Sequence, residues 1–425
     1  VRMHLNVHKA ASTHKPNNNN IRSTKMALKT TKLIFYLLSP IITISDASAT
    51  TKSQLRQLPE KVLVAYTTNK CDDLDKMEKV TTAIENGVNV LIWSFHAFVV
   101  ERVVQHGSKS KLKLETKLNV TNYLSYRNTL RGMGHGDTFH LVSFGGWDGK
   151  HLPAGATPEE LYAEFQSYNT QNHTLDDSFV LFDGIDWDLE GNDNLHHPNN
   201  EFTLECLNQM GVLSQLMKNN GYIVTTAPPE SYLDITNVNF SRFVNLTYPE
   251  PWHREFQYHG HNVYAYILAK WNDAIDLVFV QFYESYSHAA FEVNVLEMNP
   301  SEFLVGYVHR LVSQGEGLNV CFESDPSTEL NNQFVSLPLE KLVLGFANGW
   351  AVESNNSEDD EVKHVFFEKH AVESAYLELN DAQMTPRGFG FWVIEEEGKN
   401  DIYYAKYLGQ ILGLPEVANG FVALE

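Results

Sequence analysis

Asp183-Gly184-Ile185-Asp186-Trp187-Asp188-Leu189-Glu190 is the stretch on which the reading of this chain turns. Asp186, Asp188 and Glu190 occupy alternate positions, with Ile185, Trp187 and Leu189 between them. Side chains of an extended strand alternate between faces, so the three carboxylates share one face and the apolar residues the other. Three acids in a row repel one another, and the repulsion predicts at least one carboxyl with a raised pKa. Such a carboxyl is a general acid near neutral pH, the group that breaking a glycosidic bond requires. Alternation alone also fits an ordinary strand with a solvated acidic face. The flanks argue instead for a buried strand running into a loop: Ser178-Phe179-Val180-Leu181-Phe182 precedes the acids and Gly191-Asn192 follows them.

Outward from this stretch, short apolar runs alternate with amphipathic ones. The predicted strands are Val62–Tyr66, Val88–Phe95, Phe139–Phe144, Val180–Leu189, Tyr222–Ala227, Leu277–Tyr283, Leu342–Phe346 and Gly388–Ile394. Helices are expected between them. One opens at Thr157-Pro158-Glu159-Glu160, a capping box with proline at the first helical position. A second carries the stripe Phe202, Cys206, Met210, Leu213, Met217, and a third the stripe Phe303, Tyr307, Val308, Leu311. Eight alternations predict an α/β fold, a single (β/α)8 TIM barrel with its site at the carboxyl ends of the strands, where Glu190 falls. An open doubly wound sheet would need a glycine-rich phosphate loop after the first strand, and Tyr66-Thr67-Thr68-Asn69-Lys70 is not one.

The first 49 residues are set aside from the fold. Residues 1–25 read as an upstream or disordered segment. Residues 26–49 read as a secretory signal: Lys29 and Lys32 are positive, Leu33 to Ile44 is mostly apolar, and Ala47-Ser48-Ala49 resembles a cleavage site. That apolar run is short for a membrane span. The expectation is a secreted protein, extracellular or in the endomembrane and vacuolar system, free of the membrane after cleavage, with residues 50–425 forming the barrel. Net charge over the whole chain is −21. Without the leader it becomes −27, since seven of the 32 basic residues and one of the 53 acids lie there. Such a surface disfavours nucleic acid and anionic membranes and suits a neutral or cationic substrate. Three cysteines permit at most one disulfide; Cys206 falls on a buried helix stripe, and Cys71 with Cys321 is one pairing that the sequence leaves open. Sequons at Asn119, Asn172, Asn239, Asn245 and Asn355 agree with secretion.

The connection Pro228 to Ala274 holds Tyr232, Tyr248, Trp252, Phe256, Tyr258, Tyr264, Tyr266 and Trp271. These aromatics could stack on sugar rings or pack as a subsidiary core. Glu358-Asp359-Asp360-Glu361 reads as a solvated loop. The histidines, including the pairs His196-His197 and His259 with His261, form no recognised metal motif, and neither a metal nor a cofactor is expected.

With these motifs in place, the chain resembles glycoside hydrolase family 18, the chitinases and their relatives. The family's Asp-x-x-Asp-x-Asp-x-Glu is matched at Asp183, Asp186, Asp188 and Glu190. Ser143-Phe144-Gly145-Gly146 matches its strand-three motif, Gln281-Phe282-Tyr283 its strand-six motif and Gly390-Phe391-Trp392 its strand-eight tryptophan. Two departures stand out: Glu284 follows Tyr283 where many plant-type members carry Asn, and Thr226-Ala227-Pro228-Pro229-Glu230 has an extra proline. The span Ala347 to Arg387 is short for the additional α+β lobe of some members, so no lobe and an open groove are expected.

The resemblance implies a catalytic set of Glu190, Asp188, Asp186 and Tyr283. Glu190 would protonate the leaving oxygen while the substrate's own N-acetyl oxygen attacks, as in the substrate-assisted exception to two-carboxylate glycosidases. Asp188 would hold the acetamido N–H, Asp186 would share a proton or hydrogen bond with Asp188, and Tyr283 would donate to the acetamido oxygen. Trp392 would floor the sugar site, and Gln281, Tyr66, Phe95, Gly146 and Trp147 would join it in substrate binding. Asp183 and Ser143 would support the site from behind. The implied protein is a monomeric, retaining, secreted chitinase acting on chitin or N-acetylglucosamine oligosaccharides. Two alternatives stay open: an endo-β-N-acetylglucosaminidase acting on N-glycan cores, and a non-catalytic chitin-binding lectin on the same barrel.

Overall fold

The computed structural model describes residues 56–103, 109–170, 180–192, 194, 196–244, 261–284, 287–312, 315–355 and 364–415. The chain divides into Val1–Thr50 and Thr51–Glu425. The expected signal, the sequons at Asn172 and Asn245, the aromatics Tyr248, Trp252, Phe256 and Tyr258, His259 and the acidic run at 358–361 lie outside the described residues.

In chain order the strands are β1 (Val62–Thr68), β2 (Val90–Val103), β3 (Lys109–Thr116), β4 (Phe139–Gly146), β5 (Gly184–Leu189), β6 (Ile223–Thr226), β7 (Leu277–Gln281), β8 (Leu318–Val320), β9 (Gln333–Val335), β10 (Leu342–Ala347) and β11 (Gly388–Trp392). Eight of them pair in parallel in the order β1-β11-β10-β7-β6-β5-β4-β2, and β2 pairs back to β1, which closes a barrel. Helices Leu74–Glu85, Val120–Gly132, Pro158–Thr170, Leu204–Asn219, Ala265–Trp271, Pro300–Leu311, Lys369–Asp381 and Tyr404–Leu412 each follow one barrel strand. This is the (β/α)8 barrel that the alternation of patterns predicts.

Local chemistry sets where the helices begin. Thr157 and Glu160 form the expected capping box: the Glu160 backbone N–H donates to Thr157 Oγ1 at 3.2 Å, and the Thr157 N–H to Glu160 Oε2 at 2.9 Å. Thr203 caps Leu204–Asn219 by accepting from the Cys206 N–H, and Asn299 caps Pro300–Leu311 by accepting from the Ser301 N–H.

Two apolar layers separate cleanly. Val62, Val64, Val90, Ile92, Leu141 and Phe279 fill the barrel lumen. Ile185, Trp187 and Leu189 face outward into a larger cluster with the helices, and Trp187 Nε1 donates to Ser214 Oγ at 2.8 Å. The alternation in β5 thus has the expected physical meaning: carboxylates inward, apolar residues toward the helices.

Several expectations are corrected. Val180, Leu181 and Phe182 are not strand: β5 begins at Gly184. Their backbone is tied to side chains instead of a ladder. Asn169 accepts from the Phe182 N–H at 2.7 Å and donates to the Phe182 carbonyl at 3.1 Å. Tyr123 and Arg127 both donate to the Leu181 carbonyl, each at 2.8 Å. Cys71 and Cys321 are not joined, and all three cysteines are free. Cys71 follows β1, whereas the Cys321 N–H bonds the carbonyl of Val238, beyond β6. In the closed order β1 and β6 are diametrically opposed, so the pairing is geometrically excluded. Tyr232, Tyr264 and Tyr266 of the aromatic connection are buried core rather than sugar platforms. The pattern also gave no warning of β3, which extends β2 as an antiparallel hairpin, or of the β8–β9 pair. Among the described residues the β10-to-β11 connection holds helices Gly349–Asn355 and Lys369–Asp381 and no sheet.

Asn169→Ala removes the one side chain that, among the described residues, pairs both Phe182 backbone groups. Leaving them unpaired in the core costs about 2–4 kcal/mol. Urea denaturation checks this; a midpoint equal to wild type overturns the role given to Asn169.

Candidate active site

Parallel register places the deepest acid. Ser143 of β4 and Thr225 of β6 are the lateral partners of Asp186 on either side. Both hydroxyls donate to it, Ser143 Oγ to Oδ2 at 2.7 Å and Thr225 Oγ1 to Oδ1 at 2.6 Å. Tyr66 reaches across the lumen from β1 and donates to Oδ2 at 2.8 Å. Asp186 is wholly buried. Burial pushes its pKa up, and the three hydroxyls pull it back by bonding the charged form.

One step up the strand, Asp188 and Glu190 titrate as a pair. Gln281 Nε2 bridges them, donating to Asp188 Oδ1 at 2.7 Å and lying 3.4 Å from Glu190 Oε1, while also donating to the Ala227 carbonyl at 2.6 Å. The Glu190 pKa is pushed up to about 7, and burial is the largest cause. Asp188 is raised well above the usual carboxylate range by burial first, then by the charges of Glu190 and Asp186. The sequence argument identified the direction of the shift but credited repulsion; desolvation above the apolar lumen outweighs it.

The carboxyl end of β5 is held by two tyrosines of the aromatic connection and by His151, which the sequence did not single out. Tyr264 Oη accepts from the Leu189 N–H at 2.9 Å and donates to the Leu189 carbonyl at 3.0 Å. Tyr232 Oη accepts from the Gly191 N–H at 2.9 Å. His151 Nε2 donates to the Glu190 carbonyl at 2.9 Å, and burial lowers the His151 pKa, favouring the neutral ring.

Two positive-φ glycines make the close approaches possible. A Cβ on Gly145 (φ +110°) would stand 2.3 Å from the Asp188 carbonyl oxygen. One on Gly146 (φ +80°) would stand 2.4 Å from the Phe95 ring. Phe95 stacks on Trp392 with centroids 5.5 Å apart and planes 15° apart. Trp350, absent from the sequence assignment, donates from Nε1 to the Trp392 carbonyl at 2.9 Å and meets Tyr283 edge-on at 6.1 Å. Burial first, then the charge of Asp188, raises the Tyr283 pKa, so its hydroxyl is a committed proton carrier.

Other expected site residues are placed differently. Tyr66 is wholly buried against Phe279 and Trp392, so it holds Asp186 and is closed to substrate. The Gln281 amide is spent on the two carboxyls and a backbone carbonyl. Trp147, 56% exposed, lies just beyond β4. Asp183 sits at the opposite end of β5 from Glu190, where it accepts from the His140 N–H at 2.8 Å and pairs with Arg56 at 3.4 Å. It fastens β5 to β4 and does not support the acids. Glu284 accepts from Ser231 Oγ at 2.8 Å and, through its other oxygen, from the Ser231 N–H at 3.2 Å; burial pushes its pKa up to about 7.

No protein-family model and no curated protein sequence matches the chain. Among solved structures it is similar to a GH18 chitinase from Pseudoalteromonas aurantia, at 15% identity and a TM-score of 0.46, over 83% of this chain and 99% of that one. It is also similar to a family 18 chitinase from Crocus vernus, at 14% identity and a TM-score of 0.44, over 83% and 99%. A third is a fungal endo-beta-N-acetylglucosaminidase from glycosyl hydrolase family 18, at 13% identity and a TM-score of 0.42, over 84% and 97%. The barrel is established by this chain's own strand pairings, and no residue role is carried over from these structures.

A raised native pKa makes Glu190 a destabilising group at high pH. Between its ordinary value of 4.5 and about 7, the folded state keeps a proton that the unfolded chain releases, so stability falls as pH rises through that window. Glu190→Gln removes this contribution. Relative to wild type, the variant should gain stability above the window and not below it, measured by urea denaturation on both sides. An unchanged difference would show that Glu190 holds no such proton.

Proposed function

We propose that this chain is a glycoside hydrolase that cleaves β-1,4-linked N-acetylglucosamine polymers by substrate-assisted catalysis with retention, acting as a chitinase. The observation that carries the reading is the row of acids at the carboxyl end of β5, where Gln281 Nε2 lies 2.7 Å from Asp188 Oδ1 and 3.4 Å from Glu190 Oε1 and the Glu190 pKa is pushed up to about 7.

The same arrangement also favours substrate assistance over a carboxylate nucleophile. In two-carboxylate retaining enzymes the acid and the nucleophile flank the scissile bond about 5–5.5 Å apart. Asp188 is 3% exposed with Oδ1 held by Gln281, and Asp186 is buried beneath it under three hydroxyl donors, so neither stands free to attack a sugar. The remaining nucleophile is the substrate's acetamido oxygen. In this reading Glu190 gives its proton to the glycosidic oxygen as the bond to C1 breaks. The acetamido oxygen bonds C1 as Asp188 takes the N–H hydrogen bond and turns its charge toward the developing oxazolinium. Tyr283 donates to the acetamido group, and the stacked Phe95–Trp392 pair offers an apolar wall to the sugar face. Water then attacks C1 from the side the leaving group left, with Glu190 as base. That gives the retained β-anomer. The leader at residues 26–49 supports secretion as part of this proposal.

Hydrolysis of an N-acetylglucosamine tetramer, with product anomers read by NMR before mutarotation, tests the reading. β-Anomers from wild type and none from Glu190→Gln are expected, with kcat declining as pH rises through about 7. Tyr283→Phe should lower kcat by about 10²-fold, the scale of losing one donor to developing charge. α-Anomers, or a fully active Glu190→Gln, sink the mechanism. Release of N-glycans without action on the tetramer would move the substrate to glycoprotein cores.

A further inference from the structure

Two carboxylates in the connection after β6 are buried with an oxygen that accepts no hydrogen bond. Glu230 and Asp234 are both 0% exposed. Glu230 Oε2 accepts from the His288 backbone N–H at 2.9 Å, whereas Glu230 Oε1 has no partner. Asp234 Oδ1 accepts from the Thr236 N–H at 2.7 Å and from Thr236 Oγ1 at 2.6 Å. Its Oδ2 lies 2.8 Å from His288 Nδ1 without hydrogen-bond geometry. One ligand atom each from Glu230, Asp234 and His288 all lie within 4.8 Å of one another.

Among the described residues no Lys or Arg forms an ion pair with Glu230 or Asp234, and His288 lies against Asp234. A buried carboxylate oxygen left unpaired is costly, and two in one cluster demand a proton or a cation. The neighbours are otherwise engaged. Glu284 is held by Ser231, Tyr307 donates to the Leu233 carbonyl at 2.9 Å, and Arg310 donates to the Ile235 carbonyl at 2.5 Å.

We propose that Glu230, Asp234 and His288 form a binding site for a divalent transition-metal cation of the Zn²⁺ class. Two carboxylates with an imidazole suit a borderline ion, whereas Ca²⁺ and Mg²⁺ favour all-oxygen sets. Bonds of about 2.0–2.2 Å to a tetrahedral Zn²⁺ put its ligand atoms about 3.3–3.6 Å apart. Asp234 Oδ2 and His288 Nδ1 are 2.8 Å apart and all three ligand atoms lie within 4.8 Å, so that contact opens and the wider ones close by about an ångström to seat the ion. Thr236 Oγ1, 3.3 Å from His288 Nδ1, stands beside the set. The ion would staple the connection after β6 to the one after β7, which begins at Phe282. It is a structural site, independent of the glycosidase reading.

The test uses the full chain, stripped with a chelator and titrated with ZnCl2 at neutral pH by calorimetry, with thermal melts alongside and crystals measured at the zinc edge. One equivalent should bind, the melting temperature should rise, and an anomalous peak should lie among the three side chains. Asp234→Asn and His288→Ala should each weaken binding by at least about tenfold. No anomalous peak at the cluster, or affinity unchanged in both variants, overturns the proposal. If either variant fails to fold, the wild-type anomalous map alone decides.

Discussion

Desolvation of three stacked carboxyls is the constraint on which the site depends. Asp186, Asp188 and Glu190 rise along one face of β5 from an apolar lumen filled by Val64, Ile92, Leu141 and Phe279. Water cannot reach Asp186 to solvate it, and the protein answers with hydroxyls from β1, β4 and β6. The same dryness keeps a proton on the Asp188–Glu190 pair. Each carboxyl alone would be an ordinary acid; their order in depth gives each a different charge and therefore a different task.

The surrounding structure serves to hold that strand end in place. β5 is only six residues long, and beyond Leu189 its ladder stops. Tyr264, Tyr232 and His151 take over as partners for the backbone of residues 189–191. The glycines of β4 let that strand approach the Asp188 carbonyl and leave room for Phe95. A catalytic acid can keep a shifted pKa only if its position is fixed this firmly, because small displacements would admit water.

Much of this was legible in the residues. The alternation of acid and apolar side chains in β5, the eight strand runs and the capping box at Thr157 are local patterns, and local physics enforces them. Ser143 was legible as a supporting residue from its motif. Asp183 was misjudged because it shares that kind of motif while lying at the other end of the strand, where it pairs with His140 and Arg56. Tyr66 and Gln281 were read as substrate contacts, since nothing in a sequence tells whether a strand-end polar group meets a sugar or a buried carboxyl. The aromatics after β6 illustrate the same limit: period and composition are identical for a sugar platform and a small core, and only neighbours distinguish them.

The sequence by itself determined the elements and their alternation, the face on which the acids stand and the barrel they imply. These follow from periodicity, which is a property of consecutive residues. Tertiary structure alone decided that Gln281 stands between Asp188 and Glu190, that burial outweighs repulsion in raising the Glu190 pKa, that Cys71 and Cys321 lie too far around the barrel to join, and that Glu230, Asp234 and His288 converge. Each of these depends on how separate segments are packed around a closed barrel. Dielectric surroundings and distances across a lumen are properties of that packing, and the order of residues along the chain does not encode them directly.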